Sequence, residues 1–263
     1  MNNIFKSALL FLSVALLGFG ITATVDANHS WAGYHWARTA NPFTLKLGDN
    51  VSSAWDSYLA TVSSQWSQSS VLDTTVVAGS TTQKHCRGVA GTVQVCNSRY
   101  GNNGWLGIAQ IWISGSHITQ GITKLNDTYF NTATYNTPGW KSLVICQEVG
   151  HTFGLDHQDE NFNNTPITPH TCMDYFVPGT SEIVGPNAHD FEQLATIYAH
   201  VDSTTTVAAS ASSLRTAKPS ENDLENPSEW GKSVKKNAHG KDNMFVKNLG
   251  GDKKVITHVF WAE

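Results

Sequence analysis

Apolar residues recur along this chain with two distinct periods. Phe43 to Leu47 alternate apolar and polar, the pattern of a half-buried strand. In the segment from Val51, residues Val51, Trp55, Leu59, Val62 and Trp66 fall three and four apart and share one helix face. "VLDTTVVAG" is β-branched, "TVQVCNSRY" alternates, and both predict strands. "GWLGIAQIWISGSHITQGITKLND" predicts two strands, 105–113 and 117–125, turning at Ser114-Gly115-Ser116. "NTPGWKSLVICQEVGHTFGL" predicts a helix, with Pro138 near its start and Gly154 at its exit. "NAHDFEQLATIYAH" predicts another, with Asn187 as N-cap.

The ends of the chain differ from its middle. "MNNIFKSALLFLSVALLGFGITATVDA" has one lysine, an apolar run and small residues, the layout of a secretory signal peptide cleaved near Ala27. Residues 202–228 are rich in Ser, Thr, Ala and Pro and read as a linker. The remaining 229–263 regain strand patterns at Met244–Leu249 and Val255–Trp261, too little to hold a core alone. This tail either adds a hairpin to the main unit, 28–201, or is disposable. No clear propeptide lies between Ala27 and the first strand, so any latency would come from another device, of which the tail is one candidate.

A formal net charge of -4 argues against a nucleic-acid partner. No internal run is long enough to span a membrane. Oligomeric state is not legible. Export would place the four cysteines in an oxidising compartment. Of three possible pairings, Cys86–Cys96 and Cys146–Cys172 are favoured: the first closes a short loop, the second ties the stretch below to a later segment.

That stretch is "CQEVGHTFGLDHQD", residues 146–159. On a helix Gln147 and His151 share a face, and Glu148 borders it. A glycine with positive φ at Gly154 lets the chain turn so that His157 swings back. Three side chains then converge and leave a fourth position for water, as at a catalytic zinc, with Glu148 as general base.

Residues 147–157, with "TCMDY" at 171–175, resemble the metzincin zinc metalloproteases, whose extended histidine motif precedes a methionine turn. The resemblance spans roughly residues 30–200. It implies an α+β fold: a twisted, mixed and mostly parallel sheet, two long helices, a zinc cleft and a small C-terminal subdomain. It implies a secreted zinc endopeptidase acting on protein or peptide, with Gln147, His151 and His157 as ligands and Glu148 as base. Met173 becomes the turn methionine beneath the metal, and Tyr175 assists the transition state. A strand at the cleft rim would bind substrate as an added strand. The departure is Gln147, where the family has histidine. A neutral amide oxygen is a weaker donor than imidazole, so two alternatives stay open. Another residue supplies the third ligand, with His170 and His189 as candidates, or the fold is an inactive binder of peptide or glycan.

Other features have plainer readings. His85 and His117 fall in strand regions as ordinary surface or core histidines. "DHQDENFNN" offers oxygen ligands for calcium, but a solvated loop suffices. Asp156 is placed to orient a ligand histidine. Trp105 and Trp112 read as packing, and the sequons at Asn50 and Asn126 matter only under glycosylation. A specificity wall would lie in "FVPGTSEIVGPN".

Overall fold

The computed structural model describes residues 29–163, 165–208 and 226–263. The predicted signal peptide lies outside these residues, as does most of the predicted linker. Among the described residues the chain forms one mixed sheet with helices packed on it. Its elements are β1 (His35–Trp36), β2 (Phe43–Asn50), α1 (Asp56–Trp66), β3 (Leu72–Ala78), β4 (Thr92–Ser98), β5 (Trp105–Ser114) and β6 (His117–Asn126). The short α2 (Asp127–Phe130), α3 (Pro138–His151), α4 (Ala188–Ile197), β7 (Lys232–Lys236), β8 (Asp242–Gly250) and β9 (Lys253–Trp261) follow.

The strand order is β3-β2-β4-β6-β5-β9-β8-β7, with β1 beside the start of β6. Pairs from β3 to β6 are parallel, and those from β6 through β5 to β7 are antiparallel. The last three strands therefore join the main sheet. The turn at Gly115, φ 62°, makes β5 and β6 a hairpin, as the sequence predicts.

Period-two alternation, broken in β5 by a bulge between Trp105 and Gly107, sorts β5 and β9 into two cores. Leu106, Ile111, Ile256 and Phe260 face the helices with Val62, Trp66, Val144 and Val149. Trp105, Ile108, Trp112, Val255 and Val259 face the other way, over the Cys86–Cys96 disulfide and Trp230. Both faces of β5 are covered, so its sequence runs apolar without clean alternation.

α3 begins at Thr137, whose side chain accepts from the Trp140 amide, with Pro138 where no amide hydrogen is needed. Its C-terminal carbonyls would be orphaned in a dry core. Thr123 Oγ1 and the amides of Thr152, Phe153 and Gly154 donate to those of Glu148 to His151, and indole and phenol donors bind carbonyls on either side: Trp66 reaches Cys146 O at 3.3 Å, Trp36 reaches Thr152 O at 2.9 Å, and Tyr198 reaches Phe153 O at 2.9 Å. Trp36 and Trp66 thus help to hold the end of α3.

Residues 202–208, predicted as the start of a linker, are held to the domain. Asp202 binds the Arg38 backbone and side chain, Thr206 N donates to Ala37 O, and Ala208 N donates to Gly91 O. Asn50 and Asn126 of the two sequons named above are buried. Asn50 donates to Gly48 O and Gln94, and Asn126 caps α2.

Candidate metal centre

Gln147, Glu148 and His151 sit on the last turns of α3, fully buried. Two glycines let that helix end lie where it does. A Cβ on Gly107 of β5 would sit 2.6 Å from Val144 and 2.8 Å from Glu148, so the strand must be bare for the carboxylate to fit. Gly154 has φ 95°, and a Cβ there would meet Tyr34 O at 2.1 Å. The chain turns at this point and brings His157 back. Gly154→Ala is expected to destabilise the fold by about 2–4 kcal/mol, or a Tm drop of roughly 5–15 °C. An unchanged Tm in a thermal melt would refute the steric account.

The geometry of the two motif histidines is informative. His151 Nδ1 lies 2.8 Å from Leu155 O, which only accepts, so Nδ1 carries the proton. His157 Nδ1 lies 2.5 Å from the Glu160 carboxylate, which fixes the same tautomer. The two Nε2 atoms, left with lone pairs, face each other at 3.0 Å. Burial holds the His151 pKa well below its usual value, and His157 adds to this, so protonation is a poor remedy. A cation between them removes the repulsion.

The other expected residues gather here. Met173 is buried, its sulfur 2.8 Å from where a Cβ on Gly150 would lie. The Cys146–Cys172 disulfide ties α3 to the methionine turn, and closing that loop is worth about 3 kcal/mol in the chain-entropy model. The Tyr175 ring lies 4.6 Å from His157. Gln147 Nε2 donates to Cys172 O at 2.8 Å, which orients the amide and leaves Oε1 without a partner. Burial raises the Glu148 pKa well above normal; backbone groups of Ala109 and Phe260 oppose this without closing hydrogen bonds to its oxygens.

A third histidine joins them, and it was not among those expected. His258 of β9 has its ring centroid 3.9 Å from that of His151 and 4.4 Å from that of His157. His151, His157 and His258 each offer a nitrogen within 4.8 Å of the others. The two histidines proposed from sequence as a substitute ligand lie elsewhere: His170 pairs with Glu182 and His189 stacks on His29. The sequence held one signal for His258. In "KKVITHVFW" a polar residue interrupts the inward face of an apolar strand, between Ile256 and Phe260.

Several buried polar atoms around this point lack any hydrogen-bond partner: Gln147 Oε1, both Glu148 oxygens, the Tyr175 hydroxyl and both His258 ring nitrogens. Buried polar groups are seldom left so. Neutral imidazoles, an amide oxygen and a carboxylate form a donor set suited to zinc. The residues present fit a bound metal ion.

The C-terminal strands hold the surroundings. Lys235 of β7 bridges Asp156 at 2.9 Å and Glu160 at 3.0 Å, and Asn243 of β8 donates to Glu160 at 3.2 Å. Burial alone would raise the Asp156 and Glu160 pKa values. His157 and Lys235 more than offset it, and both carboxyls end below normal. These two acids of the stretch considered for calcium are thus engaged with His157 and Lys235. The expected open cleft is filled: β9 pairs antiparallel along β5, from Trp105↔Trp261 to Ser114↔Lys253. His258 lies opposite Ala109 on the edge of β5.

No helix among the described residues is long and apolar enough to cross a membrane. No family model matches the chain, and no curated protein matches it. Among solved structures it is similar to that of myroilysin, with a TM-score of 0.35 and 14% identity over 66% of this chain and 99% of that one.

Proposed function

We propose that the chain is a secreted zinc endopeptidase held in a covered form by its own C-terminal strands. The observation that carries this is the pair of lone-pair nitrogens of His151 and His157 facing each other at 3.0 Å beside the partnerless carboxylate of Glu148. Zinc, when bound, supplies Lewis acidity and lowers the pKa of a water molecule to about 7. His151 and His157 would hold it, with the oriented Oε1 of Gln147 as third donor and His258 as fourth in the covered form. Four protein ligands make a closed site; withdrawal of His258 frees one position.

The chain's own groups do the rest. Glu148 takes the proton from the attacking water and delivers it to the leaving amine. The Tyr175 hydroxyl donates to the oxygen of the tetrahedral species. Glu160 and the Leu155 carbonyl keep both imidazoles in the tautomer that presents Nε2. A peptide can lie along β5 only after β9 has left that edge.

The test is zinc content of the mature protein, with hydrolysis of unfolded protein substrates with and without chelator. Stoichiometric zinc and chelator-sensitive cleavage are expected. A protein that retains no zinc at the α3 site and leaves every substrate intact sinks the reading. Two variants separate the ligands in a competitive zinc titration. His258→Ala is expected to weaken zinc binding by about 10-fold or more. Gln147→His is expected to tighten it, since imidazole is a stronger zinc donor than an amide oxygen, and an unchanged affinity would show that Gln147 is not a ligand.

A further inference from the structure

Outside the α3 site, four more side chains converge. His35 comes from β1, His117 from the first position of β6, and His200 and Asp202 from the segment after α4. Asp202 Oδ1 lies 3.2 Å from His117 Nε2, 3.5 Å from His35 Nε2 and 3.6 Å from His200 Nε2. His200 Nε2 lies 3.2 Å from His35 Nε2. We infer that His35, His117, His200 and Asp202 form a second, structural metal site that takes zinc or a similar divalent ion.

Three observations support this. The first is the spacing. Ligands about 2.05 Å from a tetrahedral ion stand about 3.3 Å from one another; four of the six separations, those above, run from 3.2 to 3.6 Å, and the ligand atoms of His35, His117 and Asp202 all lie within 4.8 Å of one another. The second is the tautomer. His35 Nδ1 lies 2.8 Å from Gly33 O, which only accepts, so its Nε2 presents a lone pair. That lone pair lies 3.5 Å from a carboxylate oxygen and 3.2 Å from another imidazole nitrogen, a place that a proton or a cation would fill. The third is the orientation of Asp202. Arg38 holds Oδ2 at 2.8 Å through Nη1 and at 3.2 Å through its backbone amide, which leaves Oδ1 for the histidines. Arg38 is itself buried, so the carboxylate is fixed from behind.

Four protein ligands leave no open position, the mark of a structural site. Such an ion would tie β1, the β5–β6 turn and the chain beyond α4 at one point. The competing account is a hydrogen-bonded cluster of protonated histidines around Asp202, with no ion.

The experiment uses the full mature chain carrying His151→Ala and His157→Ala, so that the α3 site no longer dominates. Zinc is titrated against a chromogenic chelator, and cobalt(II) is added separately to read its visible absorption. One zinc per chain, a tetrahedral cobalt spectrum and a zinc-dependent rise in Tm are expected. Adding His117→Ala or His200→Ala should weaken zinc binding by about 10-fold or more and abolish the Tm rise. These side chains are 34% and 54% exposed, so the variants are expected to fold. No bound zinc, or binding and Tm that both variants leave unchanged, overturns the proposal in favour of the ion-free cluster.

Discussion

Glu148→Gln should lower kcat/KM on a peptide substrate by about 10²–10⁴-fold while zinc content and Tm stay near the parent values. The substitution keeps the size of a side chain wedged against Gly107, where any change in volume would be felt. It removes only the ability to accept and return a proton. Among the described residues no arginine, lysine or N-cap explains a carboxylate at this position: both oxygens lack a hydrogen-bond partner, and His258 Nδ1, 3.7 Å away, belongs to an imidazole whose pKa burial holds well below normal. Burial of an unpaired carboxyl costs stability, so a structural role would favour glutamine. The check is steady-state kinetics with zinc measured on the same samples. A variant that keeps more than a tenth of parental activity would remove Glu148 from the mechanism.

Release of the C-terminal strands should raise activity by about 100-fold, the effect of a cover open roughly 1% of the time in the intact chain. The reasoning is steric and electronic together. β9 uses the hydrogen-bonding edge of β5, and His258 stands beside Glu148 where a scissile carbonyl would have to be. A protease recognition sequence placed within 209–225 permits a single cut, and rates are compared before and after. Trp105 and Trp112, now 2% and 3% exposed under β9 and Trp230, give an independent signal. Their fluorescence should shift to the red when the fragment leaves. If the fluorescence shifts and the rate does not change, the strands are not a cover. An intact chain as active as the released one leads to the same conclusion.

The candidate site was legible in sequence where its residues are close in the chain. Gln147, Glu148, His151, Gly154 and His157 span eleven residues, and helix geometry followed by one glycine turn brings them together. Tyr175 and Met173 were reachable through the resemblance. The predicted disulfides are formed, as each joins segments that the fold lays side by side. The main elements also fell close to their predicted places, since each buries one face with a regular period. β7, "KSVKK", escaped notice: an edge strand buries little and carries no apolar signal.

Two predicted features changed once the chain was folded. His117 is in a strand, as expected, but it belongs to a four-residue cluster. His85 lies in a turn outside any strand. For 229–263 the sequence left open an added hairpin or a disposable tail, because composition cannot report strand pairing across more than a hundred residues.

By itself, then, the sequence determined the helix and strand periods, the α3 turn that gathers the motif side chains, and the asparagine and threonine caps. Those depend on neighbours within a few residues, where backbone geometry leaves little choice. The tertiary structure alone decided that β9 closes β5, that His258 reaches the motif histidines, and that His35, His117, His200 and Asp202 meet. Such encounters depend on which sheet edge a distant strand finds, and on the register that puts its inward face toward the core.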